Sequence, residues 1–374
     1  MKKRVNALLV SAIIFGLVMS LFGMTSVSQT ALANKKNQNW HRQAPAPVHA
    51  TNIKVIKKVL LPEDIRGTKG KPSSPPGLSK KEGAATGTLG EQVTGNKYAI
   101  VIGIGDYPGT DYDLYESDGD SLHMYKALTT LYGYNPDNIY LFKDMGGITG
   151  SKLDNKVYGK PTRDAIYNAI MDIKSRATST DEVVFFFSGH GTKGNYSDDN
   201  ATDTANGVDL DGIDEAIAVH DSDEEMDEDG YSDLDFIWDG ELRDWFSGFA
   251  TSRIAFVFDS CLAGGMNDVA ADGRVISMAT DETHSAYVYS TASEDVDGDG
   301  VEDGESVFTR LFANEGMLQG LANIHDYDGD ETLYESEQVT VEEAFDYAKD
   351  NIPPYLKQRQ KPVISDKFKD DLLL

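Results

Sequence analysis

Cysteine is almost missing from this chain: there is one, Cys261, in 374 residues. No internal disulfide can form, so packing, hydrogen bonds and bound ions must hold the fold together. Positive charge is scarce as well. The 34 Lys and Arg face 62 Asp and Glu, a formal charge of −28, and this excludes a nucleic-acid surface, which needs the opposite sign. Long apolar runs are absent except at the N-terminus. There Lys2, Lys3 and Arg4 precede an apolar stretch from Ala7 to Met24, and Ala31-Leu32-Ala33 supplies a small-residue cleavage site. Residues 1–33 therefore read as a signal peptide, and the chain as secreted. An uncleaved signal anchor is the alternative, and the only way a membrane enters the picture.

With 40% hydrophobic residues the remainder can bury an ordinary core. Residues 34–95 read as a linker or pro-segment: Pro45, Pro47, Pro62 and the run from Lys71 to Gly77 break any periodicity. This stretch is locally basic, and a short apolar patch, Ile53–Leu61, could dock on something. A flexible spacer is the simpler reading; a pro-segment covering an acidic cleft is the other.

From residue 96 to 374 the pattern changes to that of one α/β domain. Tyr98–Gly103 is a continuous apolar run, as expected of a parallel strand covered on both faces; Glu182–Phe187 and Ile254–Phe258 read as further buried strands, and Tyr287–Ser290 as a fourth. Asn138–Phe142 is a short strand. Ser121–Leu131 and Leu242–Phe249 read as helices, and Thr162 as the N-cap of a third that runs to Arg176. Strands alternating with helices imply a mostly parallel central sheet, whose sites form at the carboxyl ends of the strands. Two motifs fall there: Ser188-Gly-His-Gly191 and Asp259-Ser-Cys261.

A thiol attacks as thiolate and needs a neighbouring base at neutral pH. His190 between two glycines can serve, and the bare backbone of Gly191 leaves an N–H free for an oxyanion. The competing reading is a buried, inert cysteine and a structural histidine. The two strand-end motifs together favour a catalytic His190 and Cys261. A serine hydrolase would need a G-x-S-x-G elbow around Ser260, and there is none.

Phe185–Gly191 and Phe256–Cys261 resemble the two catalytic motifs of caspase-like cysteine peptidases, above all metacaspases and their prokaryotic relatives. Lys97–Gly105, Asp211–Glu215 with Asp221 beyond, and Ser306–Thr309 add to the resemblance. It implies a caspase-like three-layer α/β/α sandwich, a Cys–His dyad, an oxyanion hole from the backbone of Gly191 and Cys261, and endopeptidase activity on proteins or peptides. Metacaspases usually carry His-Ser-Gly after the cysteine; here it is Leu262-Ala-Gly264, which leaves the subfamily and neighbouring subsites open.

Asp259, two residues before the thiol, cannot be far from the side chain of the residue on the acyl side of the cut (P1). Asp120 matches the metacaspase segment whose aspartate lines that pocket. Two carboxylates would select Arg or Lys. Asp118 and Asp120 could instead serve a helix N-terminus. Arg274, in an expected loop, and Lys193 are candidate self-cleavage points.

Between Lys193 and Arg243 there is no Lys or Arg among many acids. Asp326, Asp328, Asp330 and Glu337 fall at positions 1, 3, 5 and 12 of an EF-hand-like loop, with Glu331 where glycine is usual. Asp295, Asp297 and Asp299, and Asp209 with Asp211, are further oxygen-rich stretches. The resemblance adds Asp268 as a calcium ligand, with Asp203, Asp221 and Asp223 as weaker candidates. The expectation is a calcium-dependent secreted peptidase. A calcium-binding adhesion or scaffold module, or an inactive peptidase homologue, are the alternatives; the first leaves both motifs unexplained and the second usually loses one of them.

Overall fold

The computed structural model describes residues 44–45, 51–61, 83–107, 112–143, 157–195, 214–220, 234–289, 296 and 303–374. The chain forms two compact units, Met1–Ala44 and Pro45–Leu374. All that follows concerns the second. The expected signal peptide lies outside the described residues, as do Asp209, Asp211, Asp295, Asp297, Asp299, Asp203, Asp221 and Asp223.

The elements, in chain order, are strands β1 (Thr51–Ile56), β2 (Val59–Leu61) and β3 (Lys97–Gly103), helix α1 (Tyr115–Thr130), β4 (Ile139–Lys143), β5 (Val157–Gly159), α2 (Arg163–Arg176), β6 (Glu182–Ser188), β7 (Gly191–Asn195), β8 (Asp214–His220), β9 (Leu234–Trp238), α3 (Asp239–Phe246), β10 (Ile254–Asp259), β11 (Arg274–Met278), β12 (Tyr287–Tyr289), α4 (Val341–Asn351) and β13 (Val363–Asp366). A helical segment before α4 starts at Val307–Thr309 and continues as a π-helix over Arg310–Leu318.

The central sheet has the order β13-β11-β10-β6-β3-β4-β5. Only β13 runs antiparallel to its neighbour. β6 and β10 are buried along their whole length, which is why Val183–Phe187 and Ile254–Phe258 read as unbroken apolar stretches. Alternate residues serve opposite layers. Ala99, Val101, Val184, Phe186, Ala255 and Val257 join Leu122 and Leu128 of α1 and Phe345 of α4 in one core. Phe185, Phe256 and Phe258 point the other way, and Phe246 of α3 stacks edge-on against Phe256 with ring centroids 4.8 Å apart. Sheet and two helical layers make the expected three-layer α/β/α sandwich with a mostly parallel sheet. A second sheet, β1-β7-β8-β9, is antiparallel throughout.

Helix α2 starts where its cap predicts: the Thr162 hydroxyl accepts from Ala165 N at 3.2 Å. Helix α1 starts earlier than the apolar periodicity indicated, at Tyr115, because Glu116 and Asp118 in its first turn suit the positive end of the helix. Helix α3 also starts early, at Asp239, where the Glu241 carboxylate accepts from Trp238 N. Tyr287–Tyr289 is not a strand of the central sheet: it pairs with β2, and β11 takes the sheet position beside β10.

Two further expectations are corrected. Arg274 is not in a loop; it opens β11, and its guanidinium donates to Val269 O and Phe246 O. Lys193 sits inside β7, between β1 and β8. Neither offers an exposed backbone to a protease. Of residues 34–95, Thr51–Leu61 form strands on the domain. Farther along, Asp371 accepts from the backbone N–H groups of Thr86, Gly87 and Thr88 at 2.7–3.2 Å, tying this stretch to the chain's last residues.

Candidate active site

β6 is hydrogen-bonded to β3 on one side and β10 on the other, in a register that sets Gly103, Ser188 and Asp259 in one row at the carboxyl edge. His190 and Cys261 each follow that row by two residues, so the sheet itself brings the two motifs to one rim. Two contacts explain the glycines. A Cβ on Gly191 would lie 1.9 Å from Cys261 O, and one on Gly189 would lie 2.5 Å from the Tyr107 hydroxyl. Only bare backbone lets the two turns touch. Leu262, just past the thiol, is held in the left-handed region at φ 58°. Such a conformation for a branched side chain marks a turn built to present the residue before it.

The His190 ring is fixed at both nitrogens. Nε2 lies 2.7 Å from Tyr112 O. A carbonyl only accepts, so Nε2 carries the proton and Nδ1 offers its lone pair to the cleft. Tyr107, unmarked in the sequence, steadies the turn: its hydroxyl accepts from His190 N at 2.8 Å and donates to Ala218 O, and its ring lies 4.6 Å from the imidazole. The Cys261 sulfur accepts from Ala286 N at 3.2 Å. Both members of the pair are 1% exposed. Burial holds the imidazole down at about 3, with the Tyr112 carbonyl pulling upward and the Lys58 and Lys57 charges pushing further down. Burial also pushes the thiol up to about 11, against the smaller opposing pull of the Ala286 N–H and the Ser285 side chain. In this covered form the pair is neutral.

What covers it is Lys58. Its side chain fills a wholly buried pocket, where Nζ lies 3.0 Å from Asp259 Oδ1, 2.9 Å from Ser188 Oγ and 2.8 Å from Ser306 Oγ. All three ammonium protons thus have acceptors. Asp120 stands behind, 3.8 Å from Nζ, and accepts from Ser188 Oγ, Ser306 N and Ser306 Oγ. The other Asp259 oxygen accepts from Thr309 N and Thr309 Oγ1. Burial raises the Asp120 carboxyl; the Lys58 charge opposes this and the Asp259 charge adds to it. Asp118 is elsewhere, paired with Lys143 at 3.0 Å. Asp120 and Asp259 therefore meet in one pocket, and Ser188, Ser306 and Thr309 complete it. The sequence marked Ser306–Thr309 as part of the resemblance but gave these residues no role.

The acidic candidates divide into two places. Asp326, Asp328 and Asp330 bring one oxygen each within 4.8 Å of one another on the surface, without Glu337. Asp326 accepts from Gly329 N and Glu331 N, and Glu331 takes the left-handed backbone usually given to glycine there. Asp268 belongs elsewhere. It pairs with Arg243 at 2.9 Å and faces the fully buried Asp239, whose carboxyl is raised by burial and then by the charges of Asp268, Glu215 and Asp214.

A thiol and an imidazole at adjacent strand ends of an α/β/α sandwich define the Cys–His class of site. The chain belongs to the Caspase domain family, which matches residues 96–372. It is 30% identical over 177 residues to Metacaspase-4 of Arabidopsis thaliana, a match covering 47% of this chain and 35% of that protein. Metacaspase-1 of Saccharomyces cerevisiae is 27% identical over 180 residues, covering 48% and 36%. The chain thus spans little more than a third of the length of these curated relatives. The crystal structure of the Drosophila initiator caspase Dronc superposes with a TM-score of 0.40 at 13% identity, covering 74% of this chain and 82% of that one.

Proposed function

We propose that this chain is a cysteine endopeptidase that cuts peptide bonds after Lys or Arg. One observation carries the specificity: a lysine side chain from the chain itself lies in the pocket beside the thiol, with its ammonium saturated by Asp259, Ser188 and Ser306. An acidic side chain there would meet two buried carboxylates and be repelled by them.

The geometry supports a two-step acyl transfer. His190 Nδ1 takes the Cys261 proton, and the thiolate adds to the P1 carbonyl. The imidazolium, oriented by Tyr112 O, returns the proton to the departing amine. Water then releases the acyl group from sulfur by the same base. The backbone of Gly191, pressed against Cys261, supports its assignment with Cys261 to the oxyanion hole.

Two further parts belong to the proposal. The chain is exported through its N-terminal leader, and calcium supports its activity. Asp326, Asp328 and Asp330 offer clustered carboxylate oxygens, a donor set that suits a hard cation. In Asp326–Asp330 the backbone already turns as a cation loop requires. At Asp268 the Arg243 guanidinium already holds the carboxylate at 2.9 Å, so a calcium ion there would have to displace it. At Asp326–Asp330 the residues fit the ion.

The test is hydrolysis of P1-Arg, P1-Lys and P1-Asp fluorogenic peptides by the full chain and by Cys261→Ala. Turnover of the basic peptides that vanishes with Cys261→Ala is expected. Preference for P1-Asp, or activity that survives the substitution, overturns the reading.

A further inference from the structure

Lys58 fills the pocket as a substrate side chain would, but its backbone is not placed as a substrate's. When a bond is about to be cut, the pocket residue contributes the carbonyl that the thiol attacks. The N–H that faces the base belongs to the next residue, because that amine leaves with the proton. Here the N–H facing His190 Nδ1, at 3.3 Å, is that of Lys58 itself. The bond presented to the base is therefore Lys57–Lys58. Its carbonyl-side residue, Lys57, is outside the pocket with its Nζ 4.0 Å above the Tyr112 ring. No single bond has both its acyl side chain in the pocket and its amine at the imidazole.

The flanking strands agree with this. β1 runs antiparallel to β7 and ends with Ile56 opposite Gly191. The chain then crosses the cleft, Val59 N donates to Ala286 O at 2.9 Å, and β2 leaves parallel to β12. Ala286 is the residue whose N–H meets the sulfur, so consecutive residues of the crossing segment address first the base and then the neighbour of the thiol. Leu61 is anchored in the main core, while Leu60 is 58% exposed.

We propose that residues 56–61 thread the cleft with reversed chain polarity and act as a built-in inhibitor that the enzyme holds but does not cut. This rests on the reading that the pocket selects basic side chains. The reversed path explains how a peptidase can carry a pocket-filling lysine over its own dyad and stay intact, and it makes displacement of the segment the activating event.

The full chain is compared with Lys58→Glu, which puts a third acid into the pocket, and with Val59→Pro, which removes the N–H given to Ala286. Intact mass reports iodoacetamide labelling of the only cysteine. In both variants labelling and P1-Arg turnover should rise at least about tenfold, the gain expected when a minor open state becomes the major one. A capped peptide copy of residues 55–61 should inhibit Lys58→Glu competitively and be recovered uncut while the P1-Arg substrate is consumed. Cleavage of that peptide after either lysine overturns the reversed polarity. Labelling and turnover within about twofold of the parent, in variants that melt cooperatively at the parent's temperature, overturn the inhibition. Failure of the pocket reading shows separately, as preference of Lys58→Glu for P1-Asp over P1-Arg.

Discussion

A lysine ammonium loses several kcal/mol of hydration when buried and survives only if every proton finds an acceptor and a counter-charge is near. The pocket meets both demands with Asp259 and two serines, while Asp120 orients the serines. Asp259 is the direct ionic partner, so its loss should fall on substrates with a charged P1. In the Lys58→Glu background, which removes the crossing segment from the comparison, Asp259→Asn should lower kcat/KM for P1-Arg by about 2 kcal/mol or more, roughly 30-fold. The thiol should remain open to alkylation. Loss of labelling together with turnover would mean that Asp259 holds the nucleophile rather than the substrate. At this scale the sequence was informative wherever chemistry and strand ends coincide: His190, Cys261 and Asp259 follow from that rule. Ser306 and Tyr107 do not, because a serine or tyrosine carries no comparable signal and each reaches the site from a distant part of the chain.

Single elements depend on how closely two turns can approach. The β6–β7 turn touches the turn after β10 with no room for a side chain at Gly191. Gly191→Ala must push Cys261 away from the rim. Turnover should fall at least about a hundredfold, since a displacement of about 1 Å costs that much, and the melting temperature should drop with it. A variant with parent activity would show that the contact is not needed. The element types were legible where both faces of a strand are buried, as in β3, β6 and β10, and where a cap is explicit, as at Thr162. β7 was not legible, and at β12 the strand was legible but its partner was not. These short strands gain their order from partners remote in sequence, β1 and β2. The start of α1 was hidden by acids that look like a loop, though they suit a helix N-terminus.

For the whole molecule, no disulfide can form and the charge is −28. Stability must come from the two-sided core and from neutralisation of acids. One calcium with Kd of about 10⁻⁴ M at about 1 mM free ion adds about 1.4 kcal/mol. In a chain of this size that corresponds to roughly 2–4 °C in melting temperature. Adding excess EDTA to the full chain should therefore lower the melting temperature by about that amount and reduce P1-Arg turnover. An unchanged melt and full turnover would remove calcium from the account.

The tie between Asp371 and Thr86–Thr88 has a consequence for how tightly the crossing segment must bind. Residues 62–82 join Leu61 to an anchored stretch, so the inhibitor is tethered to its own target. A covalent link of about that length can maintain a local concentration in the millimolar range, independent of how dilute the protein is. A segment with only micromolar intrinsic affinity would keep the cleft about 99.9% closed under those conditions. A cut anywhere in the tether would replace that fixed local concentration with the bulk one. The enzyme would then open simply on dilution, with no contact in the cleft altered.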